Sequence, residues 1–125
     1  MLKFGEPPYL ECSSRGVKVF SAFYARPKSL NGKSIEEAYQ AMKVFEDGST
    51  GKSWKYAKGK QAVNVVACAV AYTKWWNEWV DEQGLLPRLK EATGLSDMFG
   101  QKGHLCQAEV LWNIRNVKEV DAPKA

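Results

Sequence analysis

Between Ala62 and Tyr72 the chain is apolar at every position except Asn64. A segment so apolar around its circumference, continuing at helical periodicity from about Lys60 to Glu82, predicts one long helix lying in the core. Gly84 is placed to end it. At 125 residues and 45% hydrophobic content, the chain is long enough to enclose such a helix in one globular domain without disulfide or metal staples.

The remaining segments arrange themselves around that helix. Val17 to Ala25, with its aromatic and β-branched residues, predicts a strand, and the arm before it, with Pro7-Pro8 and Ser13-Ser14, leaves room for a second short one. Leu86-Pro87 to Thr93 predicts a short helix with proline in its first turn, closed by Gly94. Gly100 to Gly103 is a glycine-bounded loop. Leu105, Ala108, Leu111, Trp112 and Arg115 then recur at helical spacing, so the last helix is expected from Leu105 to Val117, followed by a flexible tail over residues 118–125. At least two of Trp75, Trp76 and Trp79 are expected in the core, because indoles bury large apolar areas. The expected class is α+β, a mainly helical single domain over residues 1–117 with a few short strands near the N-terminus.

Several function classes are disfavoured. No run reaches the roughly 18 apolar residues of a spanning helix, and the N-terminus lacks the apolar centre of a signal peptide, so a cytoplasmic protein without a membrane partner is expected. Cys12, Cys68 and Cys106 are odd in number and widely spaced, which fits a reduced compartment. With His104-x-Cys106 the sole approach to ligand spacing, neither a metal site nor a Cys-His nucleophile is expected, and no cofactor is implied. Gly48-Ser49-Thr50-Gly51-Lys52-Ser53 ends like a phosphate-binding loop. Its required first glycine is Glu46, however, and a helix instead of a strand precedes it.

The chemistry-bearing residues sit on the first helix. Ser34 and Glu37 form a capping-box pattern that starts a helix at about Ser34, with Ile35, Ala38, Tyr39 and Met42 as its buried stripe. At about 100° per residue, Glu36 and Lys43 fall within roughly 20° of each other, with Gln40 between them and Tyr39 at the border. Two turns, roughly 10.5 Å along the axis, keep the acid and the amine from simply pairing. They are placed to flank a ligand. A net charge of +4 and a pI near 9.0 are modest, but Lys52, Lys55, Lys58 and Lys60 cluster around Trp54 and Tyr56. That composition neutralises phosphates and stacks bases, though it equally suits a solvated loop.

These residues carry a resemblance. Phe20-Ser21-x-Phe23, Gly32-Lys33, and the helical run of Glu36, Tyr39, Gln40, Ala41, Lys43 and Phe45 resemble the successive elements of the NADAR family, the ybiA-like domain. Further along, Trp54, Lys74-Trp75, Leu86 to Gly94 and Leu111-Trp112-Asn113-Ile114-Arg115 are similar to later elements in the same order. Asp97-Met98-Phe99-Gly100 resembles its Asp-to-Trp-Gly element, with Phe99 in the tryptophan's place. The family's Gly-x-Asn-x-Leu-Gly is here Gly103-His104-Leu105-Cys106-Gln107-Ala108, without the asparagine or second glycine, which marks a divergent member.

The resemblance implies a ybiA-like fold and cleavage of a ribose C1–N bond. Implied substrates are ADP-ribosylated guanine in nucleic acid or a related nucleoside or nucleotide-like small molecule. Cleavage builds positive charge on the sugar, so Glu36 and Asp97 are the candidate carboxylates. Lys43 is the candidate amine, able to hold the opened sugar as an imine if burial lowers its pKa. Phe20, Ser21, Phe23, Tyr39, Gln40, Trp54, Phe99 and Gly100 are the candidate substrate contacts, and Lys52, Lys55 and Lys58 the candidate phosphate contacts. Two other classes stand beside this one: a protein that binds nucleic acid or an ADP-ribose-like nucleotide without turnover, and a scaffold with no small-molecule site.

Overall fold

A computed structural model of the protein describes residues 1–49, 62–102 and 105–118. Its class is α+β, with three strands and four helices among the described residues. Strands β1 (Leu2–Gly5) and β2 (Tyr9–Glu11) are the two edges of a sheet whose centre is β3 (Gly94–Asp97). β1 runs antiparallel to β3, with Leu2 opposite Asp97 and Gly5 opposite Gly94, while β2 runs parallel to it, with Tyr9 opposite Gly94 and Glu11 opposite Ser96. Every residue of β3 is buried.

That central strand corrects the expected helix closure at Gly94. Helix α3 (Leu86–Glu91) stops with extended backbone at Ala92, and Gly94 opens β3 instead. A side chain at Gly94 would collide with the Glu6 carbonyl and the Tyr9 ring. The glycine therefore serves close packing of chain against chain, not a helix cap.

The strand expected over Val17 to Ala25 is not formed. Residues Lys18–Phe20 make a 3-10 turn, and the Ser21 carbonyl then accepts from both Tyr24 N and Ala25 N, so this backbone satisfies itself locally. Phe20, Ser21, Ala22 and Ala25 are all completely buried, without the in-out alternation of a half-buried strand. A second 3-10 turn, Lys28–Leu30, is held from outside by helix α2 (Val65–Gln83): Glu82 accepts from Lys28 N, and Glu78 accepts from Ser29 N and Ser29 Oγ.

Helix α1 (Ile35–Met42) begins as its capping box requires. Ser34 Oγ accepts from Glu37 N at 3.1 Å and Glu37 Oε1 accepts from Ser34 N at 3.2 Å. The amides of Ile35 and Glu36, which an isolated helix would leave without partners, donate to the carbonyls of Ala25 and Ala22. Ile35 is buried and Tyr39 packs edge-on to Tyr72 at 4.9 Å, but Gln40, outside the expected stripe, is buried as well. The helix ends one residue before Lys43, whose backbone is extended (ψ 134°). Asn64 then links the end of α1 to the start of α2, donating to Met42 O and accepting from Val44 N.

Helix α2 begins at Val65; its expected first residues, Lys60 and Gln61, lie outside the described ones. Gly84 ends it in the left-handed region (φ 60°). Its buried face is Cys68, Tyr72, Trp76 and Val80, with Trp76 fully enclosed and Trp75 and Trp79 packed at the core margin. Contrary to the all-round burial expected for this helix, Val66 and Val70 are 77% and 64% exposed. Its core contact is thus a stripe repeating every four residues. Helix α4 (Gln107–Val117) starts two residues later than expected and crosses β1 and β3, contacting α2 and α3. Lys118, assigned to the tail, instead pairs with Asp81 at 2.9 Å; residues 119–125 lie outside the described ones. No described helix is long and apolar enough to cross a membrane.

Candidate functional site

Where β3 ends, three parts of the chain meet. Asp97, the last residue of β3, accepts a hydrogen bond on Oδ2 from Gln107 Nε2 at 2.7 Å. The other end of the same carboxamide, Gln107 Oε1, accepts from Ala22 N at 2.9 Å. A backbone amide can only donate and a carboxylate accepts, so these two partners fix which way the carboxamide points. Gln107, in the first turn of α4, thereby ties the turn at residues 21–25 to the end of β3. Because Ala22 also accepts from Glu36 N, the start of α1 belongs to the same assembly.

The loop leaving β3 is equally constrained. Asp97 Oδ1 accepts from Phe99 N at 3.0 Å and Asp97 O from Gly100 N at 3.0 Å, an Asx-type turn. From the far side Glu11 accepts from Met98 N at 2.9 Å, Ser13 N at 3.1 Å and Ser96 Oγ at 2.9 Å. Burial pushes the Glu11 carboxyl upward, but these hydrogen bonds favour the ionised form more strongly, and its pKa lies below the usual 4.5.

Between these parts lies a cleft of about 220 Å³, lined by Phe23, Glu36, Tyr72, Asp97, Phe99, Gly100, Gln101, Leu105, Cys106 and Gln107. It is smaller than the roughly 300–1,000 Å³ of sites that enclose drug-sized ligands, which suits a single ring system. Two other hollows, about 270 Å³ between α2 and α4 and about 320 Å³ beside Pro8 and Arg88, are larger, but their exposed lining is mainly apolar and neither brings two carboxylates together.

Of the sequence-predicted residues, Phe23, Glu36, Asp97, Phe99 and Gly100 meet at this cleft. Glu36 Oε1 accepts from Gln40 Nε2 at 2.8 Å, so Gln40 buttresses the acid from behind without lining the cleft. Phe20 and Ser21 are fully buried; Phe20 lies under the Arg88 guanidinium at 5.3 Å. Tyr39 stands behind Tyr72. Lys43 is not on the cleft wall. Its Nζ lies 5.4 Å from the centre of the Tyr39 ring, near enough to Glu36 for the two charges to interact, and the residue is absent from the cleft lining. Burial lowers the Lys43 pKa, opposed by the nearby Glu36 charge. Trp54, Lys52, Lys55 and Lys58 lie outside the described residues.

Sequence reasoning missed Tyr72, Gln101, Leu105, Cys106 and Gln107 at the cleft, and Glu11 behind it. Tyr72 reads as helix core, and Gln107 and Glu11 act on partners more than 80 positions away. Burial holds the Tyr72 hydroxyl and the Cys106 thiol above their ordinary pKa values. All three cysteines are free and buried, and no group of three or more metal-ligating side chains occurs among the described residues. Comparison with family models, with curated proteins and with solved structures finds no match to this chain.

Proposed function

We propose that this protein is a divergent NADAR-like, ybiA-like N-glycosidase that breaks a ribose C1–N bond, removing ADP-ribose from guanine in nucleic acid or acting on a related nucleoside or nucleotide. The reading rests on one observation: carboxylates from two separate elements, Glu36 of α1 and Asp97 of β3, line one ring-sized cleft together with the aromatic side chains of Phe23 and Phe99.

Breaking a C1–N bond leaves positive charge on the ribose, and preorganised carboxylates beside C1 stabilise it. Their placement is fixed before any ligand arrives, Asp97 by Gln107 and the Phe99 amide, Glu36 by Gln40. Water attacks C1, its proton passes to a carboxylate, and the bonding pair leaves with the base nitrogen. Because Lys43 does not line the cleft, water is favoured over an imine-forming amine as nucleophile. The absence of Lys43 from the lining favours a second reading, binding of nucleic acid or an ADP-ribose-like nucleotide without turnover.

Incubation with an ADP-ribosylated guanine oligonucleotide, with free ADP-ribose quantified by chromatography, separates the two. The enzyme reading expects release by the native protein and its loss in Asp97→Asn and Glu36→Gln, with Lys43→Ala retaining turnover. Abolition by Lys43→Ala alone would restore the imine route. Tight binding without release by any variant would leave the binding reading.

A further inference from the structure

The described wall of the cleft carries the carboxylates of Glu36 and Asp97 and no lysine or arginine, in a chain whose net charge is +4. It also carries the rings of Phe23, Tyr72 and Phe99, the last 60% exposed. Aromatic faces together with negative charge attract an organic cation, because the ring quadrupole and the carboxylates act in the same sense.

The acids at hand bear on the leaving group. A neutral base must receive a proton as it departs. The hydroxyl of Tyr72 and the thiol of Cys106 are both held above their ordinary pKa values by burial, which makes them poor donors at neutral pH. The wall is therefore richer in groups that stabilise positive charge than in groups that deliver a proton.

We infer that the cleft prefers N-ribosides whose base nitrogen at C1 already carries a positive charge, such as a pyridinium or an N7-linked purinium, over neutral N-ribosides. This rests on the N-glycosidase reading above. In such a substrate the C1–N bonding pair returns to the ring nitrogen, which becomes neutral without taking up a proton. Water supplies the oxygen that bonds to C1 and releases its proton to a carboxylate or to solvent. Positive charge moves from base to ribose during the step, and the two carboxylates are disposed to face it throughout.

The test uses the native full chain and two probes of nearly identical shape, 1-ribosylnicotinamide, a pyridinium cation, and its neutral 1,4-dihydro form. Calorimetric titration is expected to show the cation binding at least about tenfold more tightly, about 1.4 kcal/mol, with the ratio falling toward one in Asp97→Asn. Phe99→Ala, a change at an exposed position, is expected to weaken the cation more than the neutral form and guards against a folding failure of the Asp97 variant. Hydrolysis of the cation, measured relative to its uncatalysed rate, is expected to vary little between pH 6 and 8. Equal binding of the two probes overturns the inference. So does release of ADP-ribose from the guanine oligonucleotide without binding or cleavage of the cation, a result that leaves the glycosidase reading standing. Charge-selective binding with no cleavage of any substrate supports the ligand class and removes the glycosidase reading. Absence of both binding and cleavage removes both.

Discussion

Gln107→Leu keeps roughly the volume of a buried side chain while deleting two hydrogen bonds that join distant parts of the chain. The carboxamide loses its bond to Asp97 Oδ2 (2.7 Å), and Ala22 N loses its acceptor (2.9 Å). A buried amide left without a partner costs about 1–3 kcal/mol, and a bond to a charged group contributes about 1.5–3 kcal/mol. Asp97 also faces the cleft, where water offsets part of its loss, so the expected total is about 2–4 kcal/mol. Set against the roughly 5–15 kcal/mol that holds a domain folded, this lowers the melting temperature by about 8–15 °C in a chain of this size. Urea unfolding followed by tryptophan fluorescence reads it directly, Trp76 being fully enclosed. Gln107→Glu retains an acceptor for Ala22 N but sets a second carboxyl against Asp97. Its deficit is expected to shrink as pH falls from 7 to 4, when repulsion between the pair is relieved. A loss below about 1 kcal/mol in Gln107→Leu would refute the bridging role, since an orphaned buried amide alone exceeds that.

Glu11 predicts a pH dependence. Its folded pKa is depressed below 4.5, so its contribution is present above the unfolded value and is lost as pH falls through the folded one. Between pH 7 and pH 3 the native protein is expected to lose more unfolding free energy than Glu11→Gln; equal losses would contradict the hydrogen-bond assignment. Gly94→Ala places a methyl carbon 2.6 Å from Tyr9 Cδ1, besides its clash with the Glu6 carbonyl. It is expected to destabilise by about 1–3 kcal/mol, and an unchanged urea midpoint would show that the two N-terminal strands do not pack as described.

The legible parts of this protein are those whose causes lie within a few residues of one another. Ser34 and Glu37 announce the start of α1, Gly84 the end of α2, and the spacing of Ile35 and Tyr39 a helix face, because caps and turns are satisfied locally. The aromatic Ser-x-Phe segment, Glu36, and Asp97 to Gly100 stand out in the sequence by residue type, and Phe23, Glu36, Asp97, Phe99 and Gly100 meet at the cleft. Local reasoning failed where aromatic and β-branched residues suggest a strand, at Val17 to Ala25.

The sequence by itself determined where most helices begin or end. Tertiary structure decided the centre of the sheet and the composition of the cleft. Gly94-Leu95-Ser96-Asp97 has no strand signature of its own and becomes a strand because β1 and β2, from the other end of the chain, supply its hydrogen-bond partners. Gln107 and Glu11 acquire their roles in the same way, since a buried polar group must find a partner wherever the fold brings one, at any distance in the sequence.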